Sequence, residues 1–488
     1  MPHQSAGPPE FASCRLHGQV NTFCHKSKRR GLFAENRLPL PPMKRIPESL
    51  LHELWRLLPR LASSLATTRG EDLIVHSPGV HNHDAGPDFL NASVSIGGLR
   101  WYGHVELHVQ ASDWHRHGHG QDPQYRSVIL HVVAHDDAEV LSQRGQPIPT
   151  LVLPKLERLL ALYDELHQQA QTPACGNTLS TLAPIVLEGW TSRLLVERLE
   201  AKTAPITDEV ATCELGWEEA FYRSLARSLG QTVNAEAMES LARATPLKLL
   251  LKLRGQLHAV EAVLFGQSGL LGEGPTEEGE ADSGDAYVQG LVREYAFQAS
   301  KHQLTPLGPE LWRYLRLRPA SFPTVRIAQL AALLTQWEHV FSLVVQAKDL
   351  REIERLFGDV STSAYWDMHY RFGTPAKRRT SKTVGKDRIR LIIINTVIPF
   401  RFAYARSMDE PELQESTLEM LSALPPEDNR VVRQFEAQGL VAHDAAKTQA
   451  LLELHKRYCG PRLCHLCPAG QELLIARGYR TALCEPEE

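Results

Sequence analysis

Ten of the 22 histidines fall between His76 and His135, in a stretch that also carries Asp84, Asp88, Glu106, Asp113 and Asp122. Imidazole is the commonest transition-metal ligand and a proton shuttle near neutrality, while carboxylates suit Mg or Mn. Metal-assisted hydrolysis is the chemistry such a mixture supports. A histidine-rich solvated loop has the same composition, and for His115, His117 and His119 both readings stay open.

A second set lies near the C-terminus. Cys459, Cys464 and Cys467 form C-x4-C-x2-C just before Pro468. Three thiolates bind zinc or an iron–sulfur cluster and need a fourth ligand, for which Cys175, Cys484 and His465 are candidates. The alternative is free thiols packed under a helix, the reading given to the isolated Cys213. A third set is basic: Arg316, Arg318 and Arg326 flank the breaks at Pro319 and Pro323. Lys377, Arg378, Arg379, Lys382 and Lys386 follow Tyr365, Trp366, His369 and Tyr370. Cations among aromatics can hold a DNA or RNA backbone and stack on bases, although a solvated face is the commoner outcome and is favoured for the lysine-rich run.

The elements that must position these groups follow from periodicity. Ile46 to Leu65 repeats Leu at helical spacing, with Pro47 and Glu48 suited to a first turn and Pro59 to a kink or break. Strand-like runs follow at Asp72–His76, Phe89–Ile96, Leu99–Gln110 and Arg126–His135, with a fifth candidate at Pro149–Leu153. Beyond Pro154 the pattern is helical: 156–170, 183–201, 217–229, 235–243, 247–264, 287–302, 327–347 and 412–424, with another helix-like run at 470–477. The fold class is therefore α+β, a small mixed-sheet domain (43–155) followed by a large all-helical domain (156–488). The acidic stretch 272–285 reads as a solvated loop, and residues 1–42 as a disordered extension ahead of a folded part that begins near Met43.

Within Trp101–Gln110, alternation puts Val105, Leu107 and Val109 on one face and His104, Glu106, His108 and Gln110 on the other. A two-residue turn at Gly97-Gly98 pairs Ile96 with Leu99, Val94 with Trp101, Ala92 with Gly103 and Leu90 with Val105. In that register Asp88 and Glu106 lie on opposite faces. They meet only if the chain bulges or bends at Gly86-Pro87-Asp88.

Helix, hairpin and following strand, with Pro87-Asp88 and then Glu106-Leu107-His108, resemble the restriction-endonuclease-like, or PD-(D/E)XK, nuclease superfamily over about residues 46–135. The resemblance implies that Asp88 and Glu106 hold Mg or Mn and that His108, standing where the superfamily has lysine, orients or deprotonates the attacking water. It also favours Cys175 as the fourth cysteine ligand, because some of these nucleases close an iron–sulfur loop with one upstream and three C-terminal cysteines. The longer strings HNHDAGPDF (81–89), GHVELH (103–108), RPASFP (318–323) and YC-x4-CHLC (458–467) resemble a widespread bacterial family of unknown function, a kinship that carries no activity with it.

The expected function is a metal-dependent nuclease. Its rivals are a non-catalytic scaffold for nucleic acid or a partner, and a zinc hydrolase of a small molecule using His104, Glu106 and His108. Composition decides little between them. Lys plus Arg number 53 against 57 Asp plus Glu, so no global positive field argues for nucleic acid. No apolar run approaches the roughly 18 residues of a membrane helix, and the N-terminal residues lack a secretory h-region, which together point to the cytoplasm.

Overall fold

The computed structural model describes residues 46–61, 65–169, 173–271 and 285–479. The expectations for residues 1–42 and for 272–284, and the candidate ligand Cys484, lie outside the described residues. The described residues from Pro47 onward form one compact unit.

Helix α1 (Glu48–Leu61) buries Leu50, Leu51, Leu54, Trp55, Leu57 and Leu58 and continues through Pro59 for two residues. It lies on a sheet of β1 (Leu65–Ala66), β2 (Asp72–Ser77), β3 (Val80–His81), β4 (Phe89–Ile96), β5 (Leu99–Gln110), β6 (Val128–His135) and β7 (Thr150–Val152). The order is β1-β2-β4-β5-β6-β7, with β3 paired to β4. Pairing is antiparallel as far as β5 and parallel from β5 through β7. The short helix α2 (Asp113–Arg116) and a 3-10 turn (Pro123–Ser127) follow β5. Trp114 and Tyr125 from these connections pack with Val128, Val133, Val140 and Ile148.

The hairpin register is as expected from Ile96–Leu99 through Ala92–Gly103, and there it changes. Phe89, and not Leu90, stands opposite Val105, so Leu90 and Asn91 together face the single residue His104. This is a β-bulge, with Asn91 at φ 57°. Asparagine tolerates that left-handed conformation better than other side chains, and its amide N–H is retained by His104 Nδ1 at 3.3 Å. The slip of one residue turns Asp88 onto the face of Glu106. Gly86 also turns the chain, at φ 109°, but the change of register comes at the bulge and not at Gly86-Pro87-Asp88.

Gly103 is needed where β5 meets β6. A Cβ there would lie 2.4 Å from Ile129 Cγ2 and 2.6 Å from the Ser127 carbonyl oxygen. Gly103→Ala must therefore separate two central strands, and a loss of about 1–3 kcal/mol or more is expected. Chemical denaturation of the variant beside wild type measures it.

After α3 (Leu156–Gln168) the described remainder is mostly helical. The helix expected over 183–201 is α4 (Pro184–Thr212), which runs on through Pro205. Two expected long helices are each divided. The first ends at Lys252 and restarts at Leu257 after Gly255, φ 80°. The second ends at Gln336, where Trp337 leaves helical geometry to donate to the Leu356 carbonyl, and restarts at Val340. Helix α4 packs on Ala445–Leu454, where Arg198 donates to Gln449 at 2.6 Å and to Glu453 at 3.1 Å. No described helix is long and apolar enough to cross a membrane.

One buried acid in the helical core sets a pH dependence. Glu261 is 1 % exposed and accepts from Tyr287 Oη and Ser363 Oγ, each at 2.9 Å. Burial lifts its carboxyl from 4.5 to about 6, against the lowering by these donors. The folded state holds this proton more tightly than the unfolded chain, so the contribution to stability falls as pH rises from 4.5 through 6, by about 2 kcal/mol. Glu261→Gln is expected to gain that amount relative to wild type between pH 4.5 and 7.5, read from denaturant titrations of both proteins.

Candidate metal centre

The bulge makes Asp88 and Glu106 cross-strand neighbours, and backbone amides lock the pair. The Leu107 amide donates to Asp88 Oδ2 at 2.9 Å, and the Asp88 amide donates to Glu106 Oε2 at 3.1 Å. One oxygen of each carboxylate remains for other partners. Asp88 Oδ1 lies 3.5 Å from His52 Nε2 of α1, and Glu106 Oε1 lies 3.2 Å from His119 Nε2 and 3.6 Å from His108 Nε2.

The loop leading into Asp88 is tied by one side chain. Asn82 Nδ2 donates to the carbonyls of Pro87 at 3.1 Å and Ala85 at 3.3 Å, its Oδ1 accepts from the Asp84 amide, and its own amide reaches the Asp88 carbonyl at 2.7 Å.

Three further imidazoles join His108. Strands β5 and β6 are parallel with Glu106 beside His131, and His131 Nε2 lies 2.8 Å from His108 Nδ1. Just beyond α2 the chain returns over this face. His117 Nδ1 comes within 3.2 Å of His108 Nε2, and His119 stacks on Tyr125 with ring centroids 3.8 Å apart. Among the described residues, His108, His117 and His119 are the set of ligand-type side chains whose donor atoms all lie within 4.8 Å of one another. His108 and His131 are buried and His117 is exposed, so the centre opens to solvent on the His117 side.

Burial governs the protonation states. It lifts the Glu106 carboxyl to about 9, with the Asp88 carboxylate adding to the rise. Burial likewise depresses His108 far below the ordinary imidazole range, reinforced by His131, His119 and His117, and takes His131 down to about 4. His119 is lowered for the same first reason. The contacts of Glu106 with His108 and His119 therefore join neutral groups, and the imidazoles keep a lone pair for an electrophile. If His108 Nδ1 carries the proton and donates to His131 Nε2, the Nε2 lone pair of His108 points toward His117 and Glu106.

The structure thus brings together Asp88, Glu106 and His108 of the expected set. His104 instead serves the bulge. His115 is exposed and turned to the Glu139 carbonyl, Asp113 caps the end of β5 at the Gln110 amide, and Asp122 caps the Pro123–Ser127 turn. His52 and His131 joined the centre without being singled out by sequence. His131 had a legible signal, its position on a strand neighbouring Glu106; His52 had none, because on α1 it is only a polar residue between leucines.

The arginines part company. Arg316 and Arg318 are exposed, but Arg326 is 7 % exposed and donates to Gln329 and Ser321, and burial lowers it to about 10. Much of the aromatic and basic interleaving is also internal: Trp366 is fully buried against Phe265, and Lys382 lies over Tyr370 at 4.2 Å, 4 % exposed. Cys175, Cys459, Cys464 and Cys467 line one cavity away from the histidines. His465 hydrogen-bonds Ser49 and packs edge-on to Tyr163.

A family model matches residues 48–430, which include the whole sheet and the centre just described. The chain belongs to the family described as Protein of unknown function (DUF2851). No curated protein and no solved structure matches it. The family match takes in Cys175 and ends before the other three cysteines of the cavity.

Asn82→Ala removes the side-chain ties of the loop over residues 82–88 and leaves the backbone bond from its amide to the Asp88 carbonyl. A loss of about 1–3 kcal/mol is expected, with faster hydrogen exchange in peptides spanning that loop and unchanged exchange in the helical part. Uniform acceleration across the molecule would contradict this local role.

Proposed function

We propose that this protein is a divalent-metal-dependent nuclease whose metal is held by Asp88 and Glu106 with nitrogen donors from His108, His117 and His119. The observation that carries the reading is the β-bulge at Leu90-Asn91, which places both acids on one face and leaves Asp88 Oδ1 and Glu106 Oε1 turned toward histidines. The donor set fits a transition ion such as Mn better than Mg, because neutral imidazoles suit the softer ions. When bound, the ion supplies a Lewis acid for a phosphoryl oxygen and an acidified water.

The chain's own residues supply the rest. The Leu107 amide fixes Asp88 Oδ2, so Oδ1 keeps its direction. His131 fixes the ring of His108, and Tyr125 the ring of His119. His52, beside Asp88 Oδ1, is placed to accept a proton on the α1 side. The absence of a lysine at His108 leaves the phosphate without a fixed charge from that position, and exposed Arg316 and Arg318 are the groups we assign to backbone contact elsewhere on the surface. Support for phosphodiesters as the substrate comes from the element order: a helix, an antiparallel hairpin bearing the two acids and a parallel strand, as in the restriction-endonuclease-like superfamily.

Incubating the purified chain with single- and double-stranded DNA and RNA, in Mg or Mn, tests the reading. Cleavage with Mn is expected, and Asp88→Asn and Glu106→Gln should each lower it by roughly 100-fold or more. Glu106→Gln should keep its melting temperature, since it removes a carboxyl that burial already disfavours as an anion. Equal cleavage by wild type and Glu106→Gln refutes the assignment. Metal-independent binding of nucleic acid without cleavage would favour the scaffold alternative.

A further inference from the structure

The four cysteines come from four backbone features. Cys175 precedes the 3-10 turn Gly176–Leu179, Cys459 closes the π-turn His455–Cys459, Cys464 opens the turn Cys464–Leu466, and Cys467 caps the helix Pro468–Leu474. About 280 residues of chain separate Cys175 from the rest, yet all four line one cavity of about 20 Å³ with Leu179, Tyr458 and Gly470. All four are free thiols. Four thiols brought from distant parts of the chain to one small cavity are the donor set that a thiolate-bound metal centre takes.

The backbone around Cys464 and Cys467 is tightly closed. Gly470 has no room for a side chain: a Cβ would lie 2.0 Å from the Cys464 carbonyl oxygen, so the loop closes on the helix only with glycine there.

The spacing separates the two occupants that thiolates take. Tetrahedral zinc, with Zn–S about 2.3 Å, draws its four sulfurs to within about 4 Å of one another. Among the described residues no three cysteine sulfurs meet even a 4.8 Å limit, which only His108, His117 and His119 satisfy. A cubane cluster places irons and sulfides between its thiolates and holds them farther apart. We propose that Cys175, Cys459, Cys464 and Cys467 ligate a four-iron, four-sulfide cluster that ties the C-terminal segment to the start of the helical part.

The tie reaches the sheet. His465, between two of the ligands, meets Ser49 Oγ at 3.0 Å. Gln471 donates to Glu53 Oε2 at 3.0 Å and to the His465 carbonyl at 2.9 Å. Ser49 and Glu53 bracket His52 on α1. The cluster thus acts on His52 as a positioning device through the loop 464–471, and its existence does not depend on the nuclease reading.

The test uses the full chain purified without oxygen. We expect about four iron and four sulfide per chain and a brown protein with broad visible absorption that bleaches on reduction. Cys175→Ser and Cys464→Ser should each lose most of the iron, whereas Cys213→Ser, outside the cavity, should keep it all. Oxidative loss of the cluster from wild type should raise hydrogen exchange in α1 and in 455–471 together. Wild-type iron content decides the matter even if the cysteine variants do not fold. One zinc and no iron, no metal at all, or iron retained in Cys175→Ser overturns the proposal.

Discussion

Everything at the centre depends on one surplus residue in β4. An antiparallel pair with side-chain period two assigns every residue to a face, and a single insertion reverses the assignment for all residues beyond it. Without the bulge at Leu90-Asn91, Asp88 would project among the apolar side chains that α1 covers, and its charge would go without partners. With it, Phe89 takes the covered position against Trp55, and Asp88 emerges beside Glu106. The register change thus satisfies the core and the polar face at once, which gives the strained φ of Asn91 a return in packing.

The same face shows why so many histidines are tolerated there. Imidazole can be buried as a neutral group and still hydrogen-bond, so His108 and His131 pair where two carboxylates or two lysines would repel. The burial that neutralises them also raises Glu106. The buried groups of this pocket are thus neutral beside the Asp88 carboxylate, whose charge adds to the rise of Glu106.

Sequence periodicity made the strands legible, because alternation and the Gly97-Gly98 turn are local signals. It carried the register as far as Ala92–Gly103 and failed at the next pair, since a bulge shifts by one residue a pattern that still alternates on either side. The positive φ of Asn91 is allowed by its residue type but demanded only by tertiary contacts with His104. Helix breaks at Gly255 and Trp337 were hidden under continuous apolar periodicity, which cannot tell one long helix from two short ones packed on the same core. The basic residues were misleading for a different reason. Charge in sequence says nothing of depth, and Arg326 and Lys382 are enclosed among their hydrogen-bond acceptors and aromatic neighbours. Spacing marked Cys459, Cys464 and Cys467, the resemblance added Cys175, and all four line one cavity.

The contacts of Ser49 with His465 and Glu53 with Gln471 join positions more than four hundred residues apart. Protein synthesis is directional, so α1 and the sheet leave the ribosome long before the residues that hold α1 from behind. For most of the time of translation the first helix rests on the sheet by its leucines, Trp55 and His52, and Ser49 and Glu53 wait for their C-terminal partners. This helix is therefore among the first elements to be made and among the last to gain all its partners, which no nascent chain shorter than about 470 residues can supply.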